Sequence, residues 1–159
     1  KSYLIKNLKI DKNKSSQKLD YETILYVTEK TGDWALQVYG NTFYWGYTEY
    51  TALNFFFENL NLITRKPHKI VIKPHPSEDK NKYQSFAALN KNISINDETE
   101  LIDQISDCDI VVGCTTMAMI VGTWFNKKVY CSIPPGGKGF FLPKKNIVFL
   151  SDEVQEIDK

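Results

Sequence analysis

The chain has 159 residues, 42% hydrophobic and 25% charged, with a formal net charge of +1. This is enough sequence for one domain with a real core, in the composition range of an ordinary globular protein. The near-zero charge excludes a broad electrostatic footprint for DNA or RNA, so any anion site must be local.

No apolar run approaches the roughly 20 residues that span a bilayer, and no signal peptide is visible. Cys108, Cys114 and Cys131 show neither metal nor disulfide spacing, and an odd count suits a reducing cytosol. The chain opens at Lys1 without a Met, which reads as a piece of something longer.

Residues 1–20 are rich in Lys, Asn and Ser with little periodicity and read as a linker or edge segment, leaving 21–159 as the folded domain. Thr23–Thr28 reads as a first buried strand. Glu29–Gly46 reads as a loop punctuated by Gly32, Gly40 and Gly46. Tyr47 to Thr64 carries Leu53, Phe56, Phe57 and Leu60 on one stripe and predicts a helix.

Ile70, Val71 and Ile72 form a β-branched run, as in a parallel strand covered on both faces. Pro74 and Pro76 cannot donate to a ladder, so the strand over 69–74 stops at a Pro-His-Pro turn that holds His75. Glu78–Asn90 predicts a helix with Tyr83, Phe86 and Leu89. Ile93–Ile95 is a short third strand. Thr99–Ser106 predicts a short helix capped by Thr99 or Asp97.

Asp109–Gly113 is a fourth strand. Thr115–Phe125 is apolar almost all round and predicts a buried helix. Lys128–Ile133 and Asn146–Leu150 are the fifth and sixth strands, separated by a loop over Pro134–Gly139. Strands alternating with helices argue for right-handed βαβ units in a Rossmann-like, doubly wound, mainly parallel sheet of three layers.

Open α/β sheets bind ligands at the carboxyl ends of their strands. His75 sits there. So does the strand–Gly–helix junction Gly113-Cys114-Thr115-Thr116, where Gly113 permits close approach of the backbone and the two threonines fall at N-cap and N1 of the helix. A helix start suits a phosphate, and two hydroxyls add donors; the competing reading is that Thr115 merely caps its helix. Lys73 adds charge or is a solvated strand end. Gly136 and Gly137 leave the same edge in a loop able to reach a ribose, base or phosphate.

Other chemistries fit less well. The spacing of a P-loop is absent, and no G-x-G-x-x-G follows the first strand. With only His68 and His75 as histidines, a metal site is poorly supported, and Asp107 and Asp109 read as structural. Cys114 follows a strand, but its surroundings lack the second Gly of a nucleophile elbow. The aromatic stretch Trp34, Tyr39, Phe43, Tyr44, Trp45, Tyr47, Tyr50 reads either as a sugar or partner surface or as packing over the sheet, with packing favoured for its helical part and residues 34–45 covering a domain interface.

The run Lys73-Pro74-His75-Pro76-Ser77-Glu78, the helix from Glu100, the junction Asp109–Ala118 and the strand from Lys128 together resemble the carboxyl-terminal half of GT-B glycosyltransferases. Within that group the chain is most similar to bacterial sialyltransferases and capsule-polysaccharide transferases with an HP motif and a Ser/Thr-pair motif.

The resemblance covers about residues 23–150. It implies that His75, Thr115 and Thr116 hold the phosphate of a CMP-sugar, with Lys73, Pro76, Gly113, Gly136 and Gly137 around it. It also implies His75 as the catalytic residue, no metal or other cofactor, and a glycan acceptor bound by a separate amino-terminal domain that supplies the general base. The location implied is cytoplasmic or peripheral to the inner membrane. A CDP-polyol phosphotransferase, a UDP-sugar transferase or epimerase relative, and a non-catalytic nucleotide-binding module are the rival readings.

Overall fold

The computed structural model describes residues 21–157, so the segment expected as a linker, residues 1–20, lies outside the described residues. Six strands form one sheet: β1 (Glu22–Val27), β2 (His68–Lys73), β3 (Ile93–Ile95), β4 (Ile110–Gly113), β5 (Lys128–Cys131) and β6 (Ile147–Phe149). Their order is β3-β2-β1-β4-β5-β6, and every pairing is parallel. The order reverses at β1, which is hydrogen-bonded to β2 on one side and β4 on the other. A crevice therefore opens above the carboxyl ends of β1 and β4.

The period-2 alternation of side chains splits the core into two layers. Ile24, Tyr26, Ile70, Ile72, Ile110 and Val112 face one side and pack on Leu53, Phe56, Tyr83 and Leu150. Leu25, Val27, Val111, Val129 and Cys131 face the other and pack on Ile105, Ala118 and Met119. Both faces are covered, which is why the strands read as continuous apolar runs.

The helices are α1 (Thr31–Tyr39), α2 (Glu49–Glu58), α3 (Gln84–Ala87), α4 (Leu101–Asp107), α5 (Met117–Trp124) and α6 (Leu150–Ile157). Helix α1 occupies part of the stretch expected as loop. Gly32 is required inside it because a Cβ there would lie 2.7 Å from Glu49 Oε1, and Gly40, at φ +70, is its left-handed cap rather than loop punctuation.

Helix α2 is shorter than expected and is followed by a 3-10 turn at Leu60–Leu62. Its Thr48 and Thr51 form a reciprocal capping box. Helix α3 keeps only four of the residues expected in a helix over 78–90. The preceding residues are drawn into turns, with Asp79 accepting from the Asn81 amide and Glu78 turned inward.

Helix α4 begins after Glu100, with no side-chain cap from Thr99 or Asp97. Helix α5 is not buried all round: Ala118, Met119 and Gly122 pack on β4 and β5, while Met117 and Trp124 are 58% and 70% exposed. Gly122 makes that close approach possible, since a Cβ there would meet Val111 and Val129 Cγ2 at 3.1 Å each. Among the described residues no helix is long and apolar enough to cross a membrane.

Candidate functional site

The strands bearing the two sequence motifs flank β1. Lys73, at the end of β2, is in register with Val27, and Val112 of β4 is in register with Tyr26. The turns that follow therefore leave the same edge of the sheet, rooted roughly 10 Å apart with one strand between them.

The Pro-His-Pro turn is held from below by a buried carboxylate. Glu78 Oε1 accepts the His75 amide at 3.0 Å and the Thr28 hydroxyl at 2.5 Å. Its Oε2 accepts the Tyr83 hydroxyl and pairs with Lys82 Nζ at 2.7 Å. Burial works against ionisation of Glu78, but the hydrogen bonds from Lys82, Thr28, Tyr83 and the His75 amide outweigh it, so its carboxyl sits below the usual range.

Lys82 also pairs with Glu49 at 3.0 Å and Asp33 at 3.2 Å, tying α1 and α2 to the turn. Burial opposes its charge, yet Glu78 and Glu49 hold its pKa above the ordinary lysine value.

The imidazole of His75 is oriented as well as placed. Its Nδ1 accepts the Ser77 amide at 3.2 Å and lies 2.7 Å from the Ser77 hydroxyl. An atom accepting from a backbone N–H carries no proton, so in the neutral ring Nε2 bears it and is a donor. Trp34 of α1 meets the ring edge-on, at 5.5 Å between centroids.

The second turn differs from expectation by one residue: Thr116, not Thr115, is the N-cap of α5, its hydroxyl accepting from the Ala118 amide at 3.3 Å. Thr115 precedes the helix, with its Oγ1 accepting from the Phe141 amide at 3.2 Å. Both hydroxyl protons remain available to donate. Gly113 is buried, and its lack of a side chain serves packing: a Cβ would lie 2.8 Å from Thr116 Cγ2.

The two residues that follow the last residue of β1 tie the two turns together. The Thr28 hydroxyl accepts the His75 amide at 3.2 Å, and Glu29 Oε1 accepts the Thr115 amide at 2.9 Å. A small pocket at this point is lined by Tyr26, Thr28, Glu29, Thr31, Glu49 and Cys114. Burial pushes the Glu29 carboxyl above its usual range; the Thr115 amide opposes this and nearby Glu78 adds to it. Sequence reasoning missed Glu29 and Glu78. The available signal was an acidic residue directly after a buried strand and another three residues beyond the motif histidine.

The remaining sequence-predicted residues lie around this centre in different ways. The Lys73 ammonium donates to the Thr99 carbonyl at 2.5 Å, on the β3 side of β2. Pro76 is exposed in the turn. Gly137 packs against Ile133 and Tyr47, where a Cβ would approach to 2.4 and 3.0 Å. Gly136, at φ +85, has open space around it, although its carbonyl meets Gly46.

The loop following Gly137 is joined to residues 44–46 by the Lys138 amide, which donates to the Trp45 carbonyl at 2.9 Å, and Lys138 Nζ sits 5.0 Å over the Tyr44 ring. Tyr39 stacks on Tyr44 at 3.7 Å and Trp45 meets Phe141 at 5.6 Å, so the aromatic residues of this stretch pack on one another beside the Thr115 turn. Cys114 is buried, with its thiol 3.7 Å from Ser132 Oγ and pushed up by burial, which makes it a poor nucleophile.

The fold is a Rossmann-like α/β sandwich with two turns paired at its switch point. The chain belongs to the alpha-2,8-polysialyltransferase (POLYST) family, whose sequence model matches residues 2–128. No curated protein sequence matches it.

Among solved structures it is similar to two chains of Thermosulfurimonas dismutans KpsC. One is described as a beta Kdo 2,7 transferase (TM-score 0.54, 19% identity, 82% of this chain and 38% of that one). The other is described as a beta Kdo 2,4 transferase (TM-score 0.52, 17% identity, 81% of this chain and 38% of that one). These likenesses are of fold, and the chain spans 38% of the length of each.

Proposed function

We propose that this domain binds the sugar-nucleotide donor of a glycosyltransferase that builds a capsular or other surface glycan. The donor is a CMP-sugar carrying sialic acid or a related acidic sugar such as Kdo, with its phosphate between His75 and the Thr115–Thr116 turn. Family membership supports the reaction class, and the KpsC likeness supports the architecture. The observation that carries the site is the double tie just after β1: adjacent residues Thr28 and Glu29 each hold one of the two turns.

In this reading the His75 Nε2–H and the two threonine hydroxyls donate to the phosphate oxygens. Negative charge on the phosphate grows as the glycosidic bond breaks, so donors fixed in advance stabilise the transition state more than the ground state. The reaction is metal-independent. The acceptor and the general base belong to a second domain of the full-length enzyme, which works in the cytoplasm or against the inner membrane.

Calorimetric titration with CMP, CDP, UMP and AMP tests the reading. Cytidine nucleotides bind preferentially, and binding weakens in His75→Ala. A preference for adenine, or equal binding by the parent and His75→Ala, overturns it.

A further inference from the structure

The crevice contains a carboxylate that the donor reading leaves unused. Glu29 lies in the pocket at the switch point, and its hydrogen bond among the described residues is to the Thr115 amide. Among those residues no Lys, Arg or His forms an ion pair with it; the nearby Lys82 is taken by Asp33, Glu49 and Glu78. An anion thus already sits on an amide of the turn assigned to the donor phosphate. A phosphate and an ionised carboxylate sharing this low-dielectric space repel one another.

We propose that Glu29 is a proton-coupled member of the phosphate site: ionised while the site is empty, it takes up a proton from solvent when a phosphate arrives, and one of its oxygens keeps the Thr115 amide throughout. This rests on the donor reading above and deepens it. The neutral carboxyl then donates its O–H to a phosphate oxygen instead of repelling it.

The surroundings favour the neutral form. Glu78 faces Glu29 from the Pro-His-Pro turn with a negative charge, and Glu49 lines the same pocket from α2. Tyr26, Tyr47, Cys114 and Cys131 are held neutral with raised pKa values, burial being the main cause. Glu29 itself is already shifted upward by burial. His75 also borders the proposed phosphate position, so it is kept unchanged in the comparison.

The probe is the methyl ester of CMP, a diester with one fixed charge that does not titrate near neutrality. The parent chain and Glu29→Gln are titrated calorimetrically from pH 5 to pH 8. Gln keeps an oxygen for the Thr115 amide but carries no charge. Glu29→Gln binds at least about fivefold more tightly than the parent at pH 8, and the ratio narrows toward one at pH 5. His75 is present in both proteins and is common to both arms of the comparison.

Measurements near pH 7 in two buffers of different ionisation enthalpy show more proton uptake by the parent than by Glu29→Gln. A pH-independent ratio, weaker binding by Glu29→Gln throughout, or equal proton uptake overturns the proposal while leaving the donor reading intact. Should Glu29→Gln not fold, proton uptake is read instead in His75→Gln; uptake there supports the proposal and its absence overturns it. A parent that binds no probe at any pH overturns the donor reading and this proposal together.

Discussion

Glu78 Oε1 lies 3.0 Å from the His75 amide, so the acid three residues downstream of the motif histidine is the floor on which the histidine stands. The same carboxylate group receives Thr28, Tyr83 and Lys82. Glu78→Ala therefore leaves four donors with a partner missing, although Lys82 keeps Glu49 and Asp33 and the His75 amide keeps the Thr28 hydroxyl. Loss of one side of a buried ion pair costs about 3 kcal/mol. Urea denaturation of the variant reads this directly; an unchanged midpoint would show that the network does not stabilise the fold.

Acid sensitivity follows from the same group. The folded pKa of Glu78 lies below its ordinary value of 4.5. Its contribution is complete above that value and is lost as pH falls through the lower folded value. The stability gap between the parent and Glu78→Gln should shrink below pH 4.5. Glu29 has the opposite sign: its folded pKa is raised, so its ionisation costs stability increasingly as pH rises from 4.5 through the folded value. Glu29→Gln should melt above the parent at pH 8 and lose that advantage at pH 4, measured by calorimetric melting.

His75→Ala removes a ring whose contacts are Ser77 and Trp34, neither of them a core residue. Nucleotide affinity should fall by about 1–3 kcal/mol, the range for a hydrogen bond to a charged group. The melting temperature should change little. A large drop in melting with normal CMP binding by the folded remainder would make His75 a structural turn residue.

The two threonines should separate stability from binding. Thr116→Ala removes the N-cap of α5 and should cost about 1 kcal/mol of stability. Thr115→Ala removes a hydroxyl that serves only the Phe141 amide, so it should weaken CMP binding while leaving melting nearly unchanged. Binding and melting measured together on both variants decide the assignment, and equal melting losses would refute the division of roles.

The strands were legible because each is a short β-branched run, and Ile93–Ile95 appears with the expected bounds. The all-parallel sheet, and with it the common edge for His75 and Thr115, followed from strand–helix alternation. Helix α1 was not legible. Its Gly32 and its aromatic and β-branched residues argue locally against a helix, and only the contact with Glu49 explains the glycine.

The long helix expected from Glu78 failed for a related reason. The pattern Tyr83, Phe86, Leu89 has helical spacing, but Glu78 is drawn inward by the Thr28 hydroxyl, fifty residues away, together with Lys82, Tyr83 and the His75 amide, and that tertiary contact overrides local propensity. Glu29 escaped notice because its position directly after a buried strand was its only signal in the sequence, and an acid there is as readily solvated as buried.

The tie between the two turns runs through a single peptide unit. Thr28 holds one turn and Glu29 the other, and their Cα atoms are separated by about 3.8 Å whatever the temperature or solvent. The crevice is thus gauged by covalent geometry, and breathing of the sheet cannot widen it without breaking one tie. One extra glycine inserted between Thr28 and Glu29 would lengthen that gauge while sparing every side chain of the site, and would ask of the enzyme whether its chemistry depends on the identity of its groups or on their spacing.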